Sequence, residues 1–146
     1  SGIFGATIAV SKLMGLSSEQ IENALCIATS HSSGLKEQFG SMVKPYHVGM
    51  AANSAIQSSI LSKNGLKASI NSFDGPQGFG KTYNSEFNYE SFDDLGQLFI
   101  FEKLTHKFHA CCHGTHATIE ALRTILNQQS IEPLEIEKIE IIVALI

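Results

Sequence analysis

Apolar residues recur three and four positions apart along the first 64 residues, which is the spacing of one face of a helix. The first run extends from residue 3 to about 14 and stops at Gly15, a residue suited to the left-handed turn that ends many helices. The second run begins with Ser17 and Gln20, which have the spacing of a capping box, and continues through Ala28. The chain is therefore predicted to open with two helices.

A third helix is predicted over residues 46 to 64, before Gly65. Its stripe of small and apolar side chains is narrow enough for close packing against another helix. That stripe comprises Val48, Ala51, Ala52, Ala55, Ile56, Ser59 and Ile60. The next segment, residues 75 to 94, is rich in Gly, Asn, Ser and aromatic residues and has no sustained period, so we expect a linker or an active-site loop.

The hydrophobic pattern changes again in the last third of the chain. Residues 98–101 are predicted to form a strand that continues to about residue 105, residues 117–125 a fourth helix, and residues 138–143 a second strand. This order is a βαβ unit, for which a right-handed crossover is expected. Two strands and one helix bury too little surface to be stable alone, and residues 143–146 would form an open apolar edge. We therefore expect the chain to be a fragment of a longer protein.

Composition narrows the classes of function. The chain has 146 residues, of which 43% are hydrophobic and 16% charged, so it can form a real core and is not a disordered tail. A net charge of -4 without a basic run gives no surface for nucleic acid or for an anionic membrane. No apolar stretch reaches transmembrane length and no signal-peptide pattern is present, which favours the cytoplasm. Three cysteines, two of them adjacent, favour reduced thiols over disulfides.

Candidate chemistry is concentrated between Thr105 and His116, where four of the six histidines, two of the three cysteines and a lysine precede the fourth predicted helix. Imidazoles titrate near neutral pH and a helix start attracts anions, so the cluster suits acid–base catalysis on a carboxylate. Two alternatives stay open. A zinc or iron site is disfavoured because the spacing fits neither paired C-x-x-C nor H-E-x-x-H, and adjacent Cys111 and Cys112 cannot easily bind one tetrahedral ion. In the other alternative the histidines only cap the helix or lie in solvent.

Two further motifs precede this cluster. Lys44 and His47 flank Pro45 at the start of the third predicted helix, where the positive end of the helix dipole adds to the lysine charge. Two such helix ends converging would hold a polycarboxylate, although a single lysine before a helix is usually only solvated. Residues 75–82 fit the phosphate-loop pattern G-x-x-x-x-G-K-T. Neither flank has the required strand or helix, so a glycine-rich connecting loop is favoured over a nucleotide site.

Three sequence blocks, in this order along the chain, resemble the MmgE/PrpD family, which includes 2-methylcitrate dehydratase and cis-aconitate decarboxylase. The blocks are residues 34–52 with K-P-Y-H-V-G, residues 75–79 with G-P-Q-G-F, and residues 107–116 with C-C-H-G-T-H. Residues 2–6 and 12–16 also match, so the resemblance covers nearly the whole chain. It implies that the G-P-x-G-F block has no nucleotide role.

The resemblance also implies an architecture and a site. Residues 1–90 would be part of an all-helical domain and residues 91–146 the beginning of an α+β lid domain, with the active site in the cleft between them. Substrate carboxylates would be bound by Lys44 and His47 from the helical side and faced by Lys107 and His113, with His116 as the alternative, from the lid. The aspartate and histidine that the family carries upstream have no counterpart in this sequence, which bears on the activity of the isolated chain.

The function expected from this resemblance is metal-independent removal of water from a 2-methylcitrate-like tricarboxylate, as in propionate metabolism. Proton abstraction next to a carboxylate needs cations in a water-poor cleft, and it needs no cofactor. Decarboxylation of a cis-aconitate-type acid, epimerisation of a diacid, and a truncated non-catalytic helical oligomerisation module stay open as alternatives. We expect a cytoplasmic homodimer that binds a small di- or tricarboxylate, with no nucleic-acid or membrane partner.

Overall fold

The computed structural model describes residues 2–83 and 88–142 of the chain. The chain divides into two compact units, residues 1–91 and 92–146. The α-helices are α1 (Gly2–Leu13), α2 (Ser18–Thr29), α3 (Val43–Lys63), α4 (Phe79–Thr82) and α5 (His116–Gln128). Short 3-10 helices occupy Lys36–Gln38, Ile70–Ser72, Tyr89–Phe92, Ile100–Lys103, His113–Thr115 and Pro133–Glu135. The described residues contain no β-strand, so the protein is mainly helical.

The first two helices confirm the sequence prediction, including both of their end signals. Gly15 has φ +68° where α1 ends, and the amide of Leu16 donates to the carbonyl of Ser11 at 3.0 Å. At the start of α2, Ser17 Oγ accepts from the amide of Gln20 at 3.3 Å, and the Gln20 side chain accepts from the amide of Ser17 at 3.0 Å. The reciprocal capping box fixes the turn between α1 and α2, so these two helices can pack together against α3.

Small side chains form the buried face of α3, which packs against both α1 and α2. Its members are Ser54, Ala55, Ser58, Ser59 and Ser62. The Oγ atoms of Ser11 and Ser59 lie 2.9 Å apart, Ser59 Oγ also donates to the carbonyl of Ala55 at 2.8 Å, and Ser62 Oγ donates to the carbonyl of Gln20 at 2.7 Å. Hydrogen bonding removes most of the cost of burying hydroxyls, and small side chains allow a close approach of the helices.

The predicted apolar stripe of α3 is therefore partly wrong. Ala55 and Ser59 are buried as expected, but Val48, Ile56 and Ile60 are 73%, 47% and 44% exposed. A pattern ranked by hydrophobicity places serine on the solvent side, whereas here the hydroxyls of Ser59 and Ser62 have partners across the helix interfaces. The helix is consequently rotated relative to the face that hydrophobicity alone predicts.

Aromatic side chains hold the glycine-rich segment after α3 against α1. Phe4 of α1 contacts the rings of Phe73 and Phe79, with centroids 4.9 and 5.0 Å apart, and Phe79 contacts Tyr83 at 4.7 Å. The amides that a phosphate loop would present to its ligand donate to backbone carbonyls instead. These are the amides of Gly75, Gly78, Gly80 and Thr82, bonded to the carbonyls of Asn71, Gly75, Phe73 and Gly78. These hydrogen bonds favour the interpretation of residues 75–82 as a connecting segment, which contains the single turn of α4. Residues 84–87 lie outside the described part of the chain.

In the second unit the helix prediction is confirmed and the strand predictions are wrong. Residues 117–125 lie within α5, but Ile100–Lys103 is a 3-10 helix and residues 138–142 have no regular structure. A strand is stabilised by a ladder to a neighbouring strand. The amides of Glu102 and Leu104 donate instead to the carbonyls three residues earlier. The predicted apolar edge at residues 143–146 falls outside the described residues, and the assignment of residues 91–146 to a lid domain stays a prediction.

Two further observations concern burial in the second unit and the character of the helices. Across residues 92–142, no side chain that the structure describes is fully buried. Within the described ranges, no helix combines the length and the apolar character that crossing a bilayer demands.

Candidate functional site

The start of α3 carries the first pair of predicted site residues. Gly40 turns the chain with φ +89°, and Ser41 Oγ then donates to the carbonyl of Gln38 at 2.8 Å and accepts from the amide of Val43 at 3.2 Å. Lys44 is exposed in the first turn, and its Nζ lies 5.0 Å from the centre of the Phe39 ring. The lysine charge is thus held over an aromatic face at the positive end of the helix.

His47 lies one turn further along α3 and is half-buried against the backbone of Gly34. Gly34 has φ +115°, and a Cβ placed there would lie 3.1 Å from His47 Nδ1. Such a contact is tighter than ordinary van der Waals packing. Glycine at this position therefore serves both the backbone conformation and the seat of the imidazole ring.

A cleft of about 490 Å³ opens beside His47 in the first unit. Its walls are the segment 30–34, the start of α1, and the face of α3 that carries Tyr46, His47 and Ser54. The lining includes His31, which follows the end of α2, so two imidazoles and several hydroxyls share one cavity. This volume is within the range of ~300–1,000 Å³ that is typical of small-molecule sites.

A hydrogen bond from Tyr83, at the end of the glycine-rich segment, holds the segment 30–34 in place. Tyr83 Oη donates to the carbonyl of Ser32 at 2.7 Å, and Ser32 Oγ reaches the carbonyl of Ala28 at 3.4 Å. The aromatic cluster that holds Tyr83 therefore also supports this wall of the cleft. The block G-P-Q-G-F contributes to the site through this support.

The two predicted site residues of the first unit differ in their relation to the cleft. His47 lines the cleft, whereas Lys44 is near its helical wall without being among the lining residues. Sequence reasoning missed His31. A signal for it was present, since a run of small polar residues ending in Gly34 directly follows a helix and brings His31 back beside α3.

The second cluster, residues 105–116, forms a compact loop before α5. Lys107 Nζ donates to the carbonyl of Cys111 at 2.9 Å, and the amide of Cys111 donates to the carbonyl of His109 at 2.8 Å. Thr115 Oγ1 contacts Cys111 Sγ at 3.0 Å and donates to the carbonyl of Cys112 at 2.7 Å. The lysine is thereby folded back over its own loop.

Three imidazoles of this loop contact one another. The ring of His116 lies 5.1 Å from the ring of His109, edge to face, and 5.1 Å from the ring of His113. His116 is half-buried, and its Nε2 is shielded from solvent without a hydrogen-bond partner among the described groups. His113 is exposed. The rings touch by their faces and edges, and the described residues contain no group of three or more histidine, cysteine or acidic side chains arranged for a metal ion.

One short polar contact of this cluster involves a residue that the sequence did not single out. His109 Nε2 lies 2.7 Å from Glu120 Oε1, and Arg123 Nη1 donates to the same oxygen at 3.0 Å. The hydrogen bond between His109 and Glu120, assisted by the charge of Arg123, lowers the pKa of Glu120. The sequence signal was the placement of His116, Glu120 and Arg123 three and four residues apart, on one face of α5.

Comparison with known proteins identifies the family of the chain. The MmgE/PrpD N-terminal domain matches residues 1–91, more than half of the sequence. The chain therefore belongs to the MmgE/PrpD family. This confirms the resemblance drawn from the sequence blocks, of which the first two lie inside the matched region.

Relatives of this MmgE/PrpD chain share one description. The human cis-aconitate decarboxylase is 37% identical over 82 residues, which are 56% of this chain and 17% of that protein. The cis-aconitate decarboxylase of Aspergillus terreus is 29% identical over 135 residues, and a cis-aconitate decarboxylase-like protein of Aspergillus oryzae is 33% identical over 138 residues. Both fungal matches cover 84% of this chain and 28% of the relative. The chain thus spans well under a third of the length of these relatives.

Proposed function

We propose that this MmgE/PrpD chain is part of a metal-independent lyase that decarboxylates a cis-aconitate-like tricarboxylate. The cleft that joins His31 and His47 at the start of α3 carries the proposal. Its volume suits a small acid, and Lys44 and the α3 dipole supply positive charge beside it. The descriptions of the relatives favour decarboxylation over the dehydration that the family resemblance had favoured.

The chemistry fits these side chains. When the carbon–carbon bond to one carboxylate breaks, CO₂ leaves and the electron pair moves into the adjacent double-bond system. A proton must then be added at the remote carbon, which yields an unsaturated dicarboxylate. Imidazoles can supply that proton near neutral pH, and cations stabilise the charge that develops on the remaining carboxylates. In the proposed roles Lys44 and His47 bind carboxylates, and Lys107, with His113 or His116, serves the proton transfer.

A direct test measures CO₂ release from cis-aconitate by the purified full-length protein that contains this chain, with dehydration of 2-methylcitrate and epimerisation of a diacid measured in parallel. Lys44→Ala and Lys107→Ala are expected to lower kcat/KM by about 100-fold or more, because each removes a cation that stabilises developing charge. Lys36→Ala, an exposed lysine in the 3-10 helix before α3, is the matched control and should retain wild-type turnover.

The outcomes separate the candidates. Water loss from 2-methylcitrate without CO₂ release from cis-aconitate would replace decarboxylation by the hydro-lyase activity. Failure to turn over any of these acids would contradict the enzymatic proposal and favour a helical oligomerisation module. Wild-type turnover in both lysine variants would refute the assigned roles.

A further inference from the structure

The contact between His109 and Glu120 fixes the position of a proton. A carboxylate only accepts hydrogen bonds when it is ionised, and the ordinary glutamate pKa of 4.5 already leaves Glu120 ionised at neutral pH. At 2.7 Å from Glu120 Oε1, His109 Nε2 must therefore be the donor. In the neutral ring, the lone pair is then on Nδ1, which is the acceptor nitrogen.

The surroundings reinforce this orientation. The side chain of His109 is only 19% exposed, compared with 55% for Glu120, so the ring is largely covered. Its edge-to-face contact with His116 restricts rotation further. Arg123 holds the same carboxylate oxygen from the next turn of α5. Both the ring plane and the carboxylate are thus held by neighbouring side chains.

The two imidazoles in ring contact with this arrangement, those of His113 and His116, lack such a partner. His116 Nε2 has no hydrogen-bond partner among the described groups, and the ring of His113 lies 5.1 Å from that of His116. A contact between two rings does not determine which nitrogen of either ring carries the proton. His109 is therefore the imidazole of this loop whose proton position is set by a described side chain.

We propose that Glu120 is a positioning residue for His109, and that His109, through Nδ1, is an additional proton-transfer group of this protein. The second half rests on the proposed lyase function, whereas the first half depends only on the contacts around Glu120. The arrangement is that of a carboxylate orienting an imidazole through the nitrogen that does not react. Nδ1 is then the atom that donates a proton from the protonated ring, as the proposed decarboxylation requires, and accepts one when the ring is neutral.

The experiment uses the protein labelled with ¹⁵N in its histidines and observes the Nε2–H proton of His109, assigned by its absence in His109→Gln. In the wild type we expect a downfield signal protected from solvent exchange. Glu120→Ala should abolish it, and Glu120→Gln should restore it, because the amide oxygen still accepts a hydrogen bond. Glu102→Ala, an exposed glutamate in the same unit, should leave the signal unchanged.

Turnover of the same variants tests the second half. A positioned acid or base contributes about 10²–10⁴ to a rate, so loss of the orientation of His109 should lower kcat about tenfold or more in Glu120→Ala. KM should change little and Glu120→Gln should recover part of kcat. A purely structural role would not produce this split between kcat and KM, or the rescue.

Each result decides a separate claim. An Nε2–H signal that survives Glu120→Ala overturns the pairing. A lost signal with unchanged kcat overturns the proton-transfer role of His109. If the wild type turns over none of the tested acids, the lyase proposal and the role of His109 in it fail together, while the signal in the three variants still decides the positioning claim.

Discussion

The two histidine sites of this protein are held in place by contacts of very different range. In the first unit, Ser11 and Ser59 are 48 positions apart in sequence, and Tyr83 and Ser32 are 51 apart. In the second unit, the longest polar contact of the cluster, between His109 and Glu120, spans 11 positions. A site fixed by long-range contacts shares the stability of the whole core, whereas a site fixed by neighbours depends on one loop and one helix. The first cleft is therefore the preorganised part, and the second cluster is ordered locally.

Hydrogen exchange gives the largest expected contrast between the units. Amides in the middle of α1, α2 and α3 should exchange at least about a hundredfold more slowly than those of α5, because α5 has no buried residue and opens at lower cost. Mass spectrometry of the exchanging protein, resolved to peptides from each helix, measures this ratio. Equal protection of α3 and α5 would show that the second unit folds as firmly as the first.

A pair of glycine variants then tests preorganisation in the first cleft. Gly34→Ala and Gly40→Ala both place a side chain at positive φ, and each should cost about 1–3 kcal/mol of unfolding free energy. Only the Cβ at position 34 meets His47, since nothing lies within 4 Å of one at position 40. Turnover should therefore fall at least about tenfold in Gly34→Ala and stay near wild type in Gly40→Ala. Equal turnover would mean that the seat of His47 does not matter to the reaction.

Serine variants test how the α1–α3 interface is held. Ser59→Ala leaves the buried hydroxyl of Ser11 without a partner, and should lower the unfolding free energy by about 1–3 kcal/mol. Ser11→Ala should cost less, because Ser59 keeps its bond to the carbonyl of Ala55. Ser58→Ala is the matched control: this buried hydroxyl has no partner among the described groups, so its removal should be neutral or stabilising. Urea unfolding of the three variants should give that order, and equal losses would exclude the hydroxyl network as a source of stability.

The smallest expected effect is the pH dependence of the second cluster. The pKa of Glu120 is lowered in the folded protein, so its pairing with His109 and Arg123 contributes stability above the ordinary carboxyl pKa of 4.5. That contribution is lost as the pH falls through the folded-state pKa. Exchange of the α5 amides should therefore be faster in Glu120→Gln than in the wild type at neutral pH and should converge below pH 4.5. A constant difference across this range would contradict the linkage.

The elements that were predictable from sequence are those with local causes. The ends of α1 and α2 follow from Gly15 and from the Ser17–Gln20 pair, and these signals act within a few residues. The predicted strand at residues 98–101 failed because a strand needs a partner that no local pattern supplies. The rotation of α3 was equally hidden, since the hydroxyls of Ser59 and Ser62 meet their partners on α1 and α2 only in the folded protein.

The same division applies to the candidate site. The sequence blocks pointed to His47 and to residues 107–116, because their residue types carry chemistry by themselves. His31 acquires a role only because the fold brings it into the cleft that His47 also lines. Glu120 acquires one only because α5 places its carboxylate beside His109. Positioning groups are therefore the ones that require a structure.

The hydroxyl-lined interface of α3 has a thermodynamic consequence. Exposure of apolar surface raises the heat capacity on unfolding by ~0.45 cal/mol/K per Å², whereas exposure of polar surface lowers it by ~0.26. The first unit buries serines on α3 and leaves Val48 and Ile56 in water, so its unfolding exposes little new apolar surface along this helix. Its heat-capacity change should fall below the usual ~12–15 cal/mol/K per residue. A smaller heat-capacity change flattens the stability curve, so the stability of the helices that hold His47 should vary less with temperature than that of a core of leucine and isoleucine.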